Sequence, residues 1–346
     1  MSTLCVRLDS AGDVLVTGPA IRAAAPVTLL AGPRGAEAAR LLPGVDEVLT
    51  WRCPWIDPAP PPVSSTEVAA LVERLRGYDR ALLFTSYHQS ALPTALLLRL
   101  AGIPWVGAIS EDYPGSLLDL RHRVPDDIPE PERALSLSLA AGHALPAGDD
   151  GRLRVRNLPP NALWGDYLVL HPGAAPARAW PPARFAEAAR MLAAEGHRVV
   201  VTGNAAEREL TRAVAGSWAL DLGGRTDLAT LAALIAGADA IVVANTGPAH
   251  LAAAVGTPVV SLYAPTVPAV RWAPYRVPQV LLGDQQAACR DTRATVCPVP
   301  GHPCLSSVTG DEVVRAVDKL INGDIDERHM SGGTYRGGGT YRKVQS

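Results

Sequence analysis

Short apolar runs alternate with stretches of helical periodicity along most of the chain. Residues 3–8 form an apolar, strand-like run, residues 9–12 are small and polar, and residues 13–25 carry a helical pattern. This predicts a strand, a tight loop and a helix in succession. Residues 27–30, 47–50 and 81–84 predict further buried strands, with helices over 34–42, 65–76 and 89–101 between them. Strands that alternate with helices predict a parallel sheet. Pro58 and Pro60 to Pro62 mark a surface loop, because four prolines fit neither a ladder nor a helix interior.

Residues 143–165 are rich in Gly, Pro, Asp and Asn and lack periodicity, which places an interdomain linker there. A second alternation follows, with strands over 167–170, 198–202, 240–244 and 258–263 and helices over 183–195, 205–215, 227–236 and 248–255. The pattern therefore predicts two α/β domains of shared architecture, 1–150 and 151–322. A last amphipathic helix spans 311–321. The string G-G-T-Y-R then occurs twice, so residues 323–346 read as a disordered Gly-rich tail or an appended segment, binding of an acidic partner being the other reading.

A length of 346 residues suits two domains and a cleft between them, and 48% hydrophobic against 19% charged residues fits a packed enzyme rather than a disordered chain. The formal net charge of -2 gives no footprint for nucleic acid or an anionic membrane surface, so any anion site is local. Residues 1–7 lack the pattern of a signal peptide and no apolar run reaches membrane-spanning length. The expectation is a cytoplasmic protein. Five cysteines do not suggest a secreted disulfide framework.

Ligands of open α/β sheets gather where strands run into helix N-termini, and three such loops stand out. The first, D-S-A-G-D over residues 9–13, delivers Asp13 at a helix start, with Ser10 and Gly12 beside it. A carboxylate there can cap the helix or act as a base, and both roles stay open. The second, H-P-G-A-A-P-A-R-A-W-P over 171–181, offers Gly173, Ala174 and Ala175 for close backbone approach and Arg178 as a fork for phosphate. A surface arginine without a ligand is the alternative. The third, over 244–258, runs from a strand through Asn245, Thr246 and Gly247 into a Pro-initiated helix carrying His250. Amides of Gly247, Ala249 and His250, with the Thr246 hydroxyl, would face a diphosphate. His250 either touches that ligand or packs.

These strings in this order, V-R-L-D-S-A-G-D-V-L, H-P-G-A-A…R-A-W-P, G-G-R-T-D-L-A-T-L-A-A-L-I-A-G-A-D and N-T-G-P-A-H-L-A-A-A-V-G-T-P-V-V-S-L-Y-A-P-T, resemble glycosyltransferase family 9, the heptosyltransferases, over residues 3–322. The resemblance implies a GT-B fold, two Rossmann-like domains whose parallel sheets face an interdomain cleft, with the acceptor in the first domain and the nucleotide sugar in the second. It implies that the last helix packs back toward the first domain. It also implies Asp13 as general base, Arg178 beside the donor diphosphate, and Thr246, Gly247 and His250 at the donor-binding helix start. Relatives often carry Asp where Asn245 stands and Ser where Ala175 stands. Those departures leave the reaction class better defined than the donor.

The function so implied is inverting, metal-independent transfer of a sugar, heptose from ADP-heptose, to an acceptor hydroxyl. The donor is a co-substrate, and no cofactor is implied. The acceptor is a lipopolysaccharide core or a secondary-metabolite glycoside, with a place at the membrane periphery compatible. The alternatives are a nucleotide-sugar epimerase on the same fold and a non-catalytic nucleotide-sugar binder. A dinucleotide oxidoreductase is weaker, since no G-x-G-x-x-G follows the first strand. Asp324 to Asp326, the one Asp-x-Asp, falls in the tail rather than after a buried strand. Cys289, Cys297, His302 and Cys304 have zinc-ligand types without the usual paired spacing, so a reduced structural loop is the competing reading.

Overall fold

The computed structural model describes residues 1–86 and 88–323. The first half runs β1 (Thr3–Arg7), α1 (Ala11–Val16), α2 (Gly18–Ala24), β2 (Val27–Ala31), α3 (Ala36–Leu41), β3 (Val45–Thr50), α4 (Ser65–Arg74), β4 (Arg80–Leu83), α5 (Leu92–Leu100), β5 (Trp105–Ile109), β6 (Leu120–His122) and α6 (Glu130–Ala140). The second half runs β7 (Leu168–His171), α7 (Pro182–Ala194), β8 (Val199–Val201), α8 (Arg208–Ala215), β9 (Leu220–Asp221), α9 (Leu228–Ala236), β10 (Ala240–Ala244), α10 (Gly247–Val255), β11 (Val259–Leu262), α11 (Ala269–Trp272), β12 (Gln279–Leu282), α12 (Pro303–Ser306) and α13 (Gly310–Ile321). The two GGTYR repeats and Asp324 to Asp326 lie outside the described residues.

Each half forms a six-stranded parallel sheet, ordered β3-β2-β1-β4-β5-β6 and β12-β11-β10-β7-β8-β9. These are the same Rossmann order, with the reversal of direction between β1 and β4 in one sheet and between β7 and β10 in the other. Of the strands beside each reversal, β1, β7 and β10 are buried along their whole length and β4 in all but Arg80, which is why they read as apolar runs.

Most predicted elements recur within a few residues. The helix expected over 13–25 is instead two, broken at Thr17, whose hydroxyl bonds the Asp13 carbonyl and whose follower Gly18 precedes Pro19. Strands β5, β6, β9 and β12 and helices α6, α11 and α12 had no expected counterpart; β6 and β9 span three and two residues and α11 and α12 four each, too short for a periodic signal. No regular element lies between α6 and β7, where the linker was expected.

The last helix does not pack toward the first domain. Val313, Val314, Val317 and Leu320 of α13 join Leu168, Trp180, Phe185 and Leu192 in a core within the second half, and the Trp180 indole donates to the Val308 carbonyl at 3.1 Å. Its apolar stripe matches that sheet face and leaves no comparable surface for the other half. The halves meet elsewhere. Helix α1 packs on α10 and α3 on α9, and Val14 and Leu15 share one core with Ala249 and Leu251. A polar clamp adds to this contact: Arg271, only 6% exposed, lies 3.5 Å from Glu130 and 3.3 Å from Asp126, and Tyr275 donates to Glu132 at 3.0 Å.

Candidate active site

The loops after β1, β7 and β10 leave their sheets at the two points of reversal and meet at one cavity of about 740 Å³. Asp9, Ser10, Gly12 and Asp13 line one wall, and Arg178, Asn245, Thr246, Gly247 and His250 the other. Gly12 closes the floor between them. A Cβ at Gly12 would lie 3.0 Å from the His250 ring and 3.3 Å from the Gly247 Cα, so two helix starts from opposite halves touch through glycine.

Asp13 stands at the third position of α1, which begins after Ser10. One carboxylate oxygen accepts from the Ser10 hydroxyl at 2.6 Å and the Ser10 N–H at 3.2 Å; the other meets the Arg7 guanidinium at 3.1 Å. The helix-start role is therefore present, and the same carboxylate also faces the cavity. Burial opposes its ionisation, but Arg7 and the two Ser10 donors outweigh burial and hold the carboxyl below its usual range. Asp13 is therefore ionised at neutral pH. Arg7, 2% exposed, also meets Asp9 at 3.1 Å.

On the opposite wall Arg178 ends a 3-10 turn, Pro176–Arg178, and one guanidinium nitrogen donates to the Asn245 carbonyl at 3.1 Å. That bond fixes the fork next to the start of α10. His250 is 7% exposed, its Nδ1 has no hydrogen-bond partner, and burial lowers its pKa to about 4, so the ring is neutral at pH 7.

Three donor-side groups have partners within the protein. Gly173 and Ala174 do not line the cavity; a Cβ at Gly173 would lie 2.3 Å from the Glu207 carboxylate, so the space opened by this glycine is filled by a side chain. The Ala249 N–H already donates to the Thr246 carbonyl at 3.1 Å. The Asn245 amide holds both peptide groups of Ala264, donating to its carbonyl at 3.2 Å and accepting from its N–H at 3.3 Å. Aspartate could not make the first of these bonds. Asn245 thus ties β10 to the end of β11, although it borders the cavity.

The cysteine loop has an unforeseen part. Cys289 and Cys304 are buried in the second core, and the segment between them brings Arg293 and Thr295 to the cavity, where the Thr295 carbonyl accepts from Ala177 N–H at 3.0 Å. The cysteines act here as small apolar anchors. Burial pushes the Cys304 thiol up to about 12. Among the described residues, Glu195, His197 and Asp318 form the group of three ligand types whose donor atoms converge within 4.8 Å; Cys289, Cys297, His302 and Cys304 do not. Sequence reasoning also passed over Arg7, Asp9, Gln89 and the 53–58 segment. An arginine ending a strand reads as a surface residue, and proline-rich loops carry no chemical signature.

Two facing Rossmann-like sheets, with loops from both reversal points on one cavity, define a GT-B-type protein. The sequence profile described as glycosyltransferase family 9 (heptosyltransferase) matches residues 68–301, and the chain belongs to that family. It is 29% identical over 317 residues to lipopolysaccharide heptosyltransferase 1 of Pseudomonas aeruginosa, covering 82% of this chain and 84% of the relative. With lipopolysaccharide heptosyltransferase 2 of Escherichia coli it shares 28% over 231 residues, 56% of this chain, and it spans only 62% of that relative's length. An E. coli heptosyltransferase solved with ADP-2-deoxy-2-fluoro heptose has the same fold, with a TM-score of 0.69, 23% identity and coverage of 92% and 99% of the two chains. No helix among the described residues is long and apolar enough to cross a membrane.

Proposed function

We propose that the protein is an inverting glycosyltransferase in which residues 1–150 hold the acceptor and residues 151–322 the nucleotide sugar. The observation that carries this is the placement of an ionised Asp13 and the first turn of α10 on opposite walls of one cavity. Asp13 takes the proton of the acceptor hydroxyl as its oxygen bonds to the anomeric carbon. The bond from that carbon to phosphate breaks, and its electron pair leaves with the nucleoside diphosphate. Direct attack from the face opposite the leaving group inverts the anomeric centre.

Negative charge grows on the leaving phosphate, where Arg178 and the positive end of α10 are placed to meet it. These fixed donors supply what a divalent ion would, and the reaction proceeds without one. ADP-heptose is the donor we assign; the heptosyltransferase names of the relatives and the ADP-heptose analogue in the similar E. coli structure support it.

Calorimetric titration with ADP, UDP and GDP tests the donor. ADP is expected to bind at least tenfold tighter than the other two, and equal binding of all three contradicts the assignment. Release of ADP from ADP-heptose is expected to persist in excess chelator; abolition by EDTA overturns the metal-free route.

A further inference from the structure

Burial keeps His250 neutral at pH 7, so one of its ring nitrogens carries a proton and the other a lone pair. Which nitrogen is which decides what the cavity meets. A Cβ at Gly12 would lie 3.0 Å from the His250 Cδ2, so the Cδ2–Nε2 edge of the ring is turned to the opposite wall, where Asp13 stands close enough for its charge to act on the imidazole. Nδ1 lies on the far edge, sealed from solvent and without a hydrogen-bond partner among the described residues. A lone pair at Nε2 would face the Asp13 carboxylate and any phosphate in the cavity, whereas an N–H there is a donor to either. The favourable tautomer has its proton at Nε2 and leaves Nδ1 an acceptor.

An acceptor buried at Nδ1 calls for a donor, and one is packed against this ring. Trp272 borders the cavity and meets His250 edge-on, with ring centroids 6.4 Å apart and planes at 60°. Its Nε1–H is also sealed and also unpartnered among the described residues. An indole N–H can only donate. A bond of about 3 Å between two ring nitrogens, added to the distance from each nitrogen to its own ring centre, spans about 6 Å. The observed separation is therefore that of a bonded pair, and a turn of the half-buried indole is what remains. The backbone beneath it is held. The Trp272 N–H donates to the Pro268 carbonyl at 3.2 Å, the Tyr263 hydroxyl donates to the same carbonyl at 3.2 Å, and the neighbouring Arg271 lies 3.5 Å from Glu130 of the other half.

We propose that Trp272 is a positioning residue: when the donor diphosphate enters, its indole N–H bonds Nδ1 of His250 and fixes the imidazole as the Nε2–H tautomer, which donates to a phosphate oxygen of that donor. This rests on the donor assignment made above. No proton is transferred. The imidazole stays neutral and presents an N–H, not a lone pair, at the point where charge grows on the leaving phosphate. Without Trp272 the ring is free to take either tautomer, and the Nδ1–H form turns a lone pair toward the phosphate and Asp13 alike.

The test is long-range ¹H–¹⁵N NMR of the full chain, labelled at histidine and tryptophan, with and without ADP; His250→Gln assigns the His250 signals. With ADP bound, Nε2 of His250 is expected to resonate as a protonated ring nitrogen and Nδ1 as a hydrogen-bonded acceptor. The Trp272 indole proton is expected to move downfield and to exchange with solvent at least tenfold more slowly. Trp272→Phe keeps an aromatic ring and removes the donor. It is expected to lose the single-tautomer signature and to lower kcat for ADP release from ADP-heptose about tenfold with KM within about twofold, a split that lost packing alone would not give. The wild-type spectrum decides the matter if that variant does not fold. An Nδ1–H tautomer, an indole proton that ADP leaves unmoved, or wild-type signals and kcat in Trp272→Phe overturns the proposal. Failure of ADP to bind by calorimetry overturns the donor assignment and this proposal together, whereas binding with the wrong tautomer overturns this proposal alone.

Discussion

Gly12→Ala is the sharpest probe of the contact that joins the two walls. The new Cβ would sit 3.0 Å from the His250 Cδ2 and 3.3 Å from the Gly247 Cα. Neither neighbour yields easily, since one is backbone and the other is a ring that is 7% exposed and packed edge-on against Trp272. Restoring an ordinary carbon contact of roughly 3.5 to 4.0 Å requires the helix starts to part by about half an ångström or more. Overpacking of this kind costs about 1–3 kcal/mol, from which the better helix propensity of alanine returns at most about 1 kcal/mol. A displacement of about 1 Å at a reacting pair costs on the order of a hundredfold in rate. The expected outcome is a fall in ADP release from ADP-heptose of about 10- to 100-fold, with a Tm lowered by a few degrees. A variant as active and as stable as the wild type would refute the argument that Gly12 sets the separation of base and donor.

Three other perturbations reach different parts of the account. Arg178→Met removes the cation beside α10 and should raise the ADP Kd at least tenfold and lower kcat by about 10²-fold, read by calorimetry and ADP release; unchanged values remove Arg178 from the donor site. Because Asp13 is held below the usual carboxylate range, ADP release should stay flat from pH 8 down to about pH 5, and an acid limb centred near neutrality would point to another base. The hydrogen bond from Arg22, 2.6 Å away, lowers the Asp149 pKa from 3.8 to about 2. Its depressed folded value means that the contribution, about 2 kcal/mol, is complete above the unfolded pKa and disappears as pH falls through the folded one. Asp149→Asn should therefore lose at least that much stability by urea denaturation at pH 7, with the gap closing toward pH 2; a constant gap across that range contradicts the ion-pair account.

The parts of this molecule legible in sequence are those where one local rule decides the structure. Buried parallel strands such as residues 240–244 are continuous apolar runs, and Pro248 at a helix start follows the Thr246–Gly247 turn, so the loop beside the donor could be placed from its own residues. Contacts between distant segments left no local trace. The role of Asn245 depends on Ala264, nineteen positions on, and the burial of Arg7 depends on Ser86 across two strands. Gly173 shows the same limit from the other side: small residues after a strand invite a ligand by rule, but Glu207 fills the space. The packing of α13 was inferred by resemblance, and the apolar match to Trp180 and Phe185 decided it otherwise.

The most direct test of the account is Asp13→Asn, which keeps an acceptor for the Ser10 N–H and removes the base. ADP binding by calorimetry and ADP release from ADP-heptose are to be measured on the same preparation. A general base contributes about 10²- to 10⁴-fold, so the account predicts ADP affinity close to wild type with turnover lowered at least a hundredfold. Turnover within a few-fold of wild type in a variant that binds ADP normally would show that Asp13 does not take the proton.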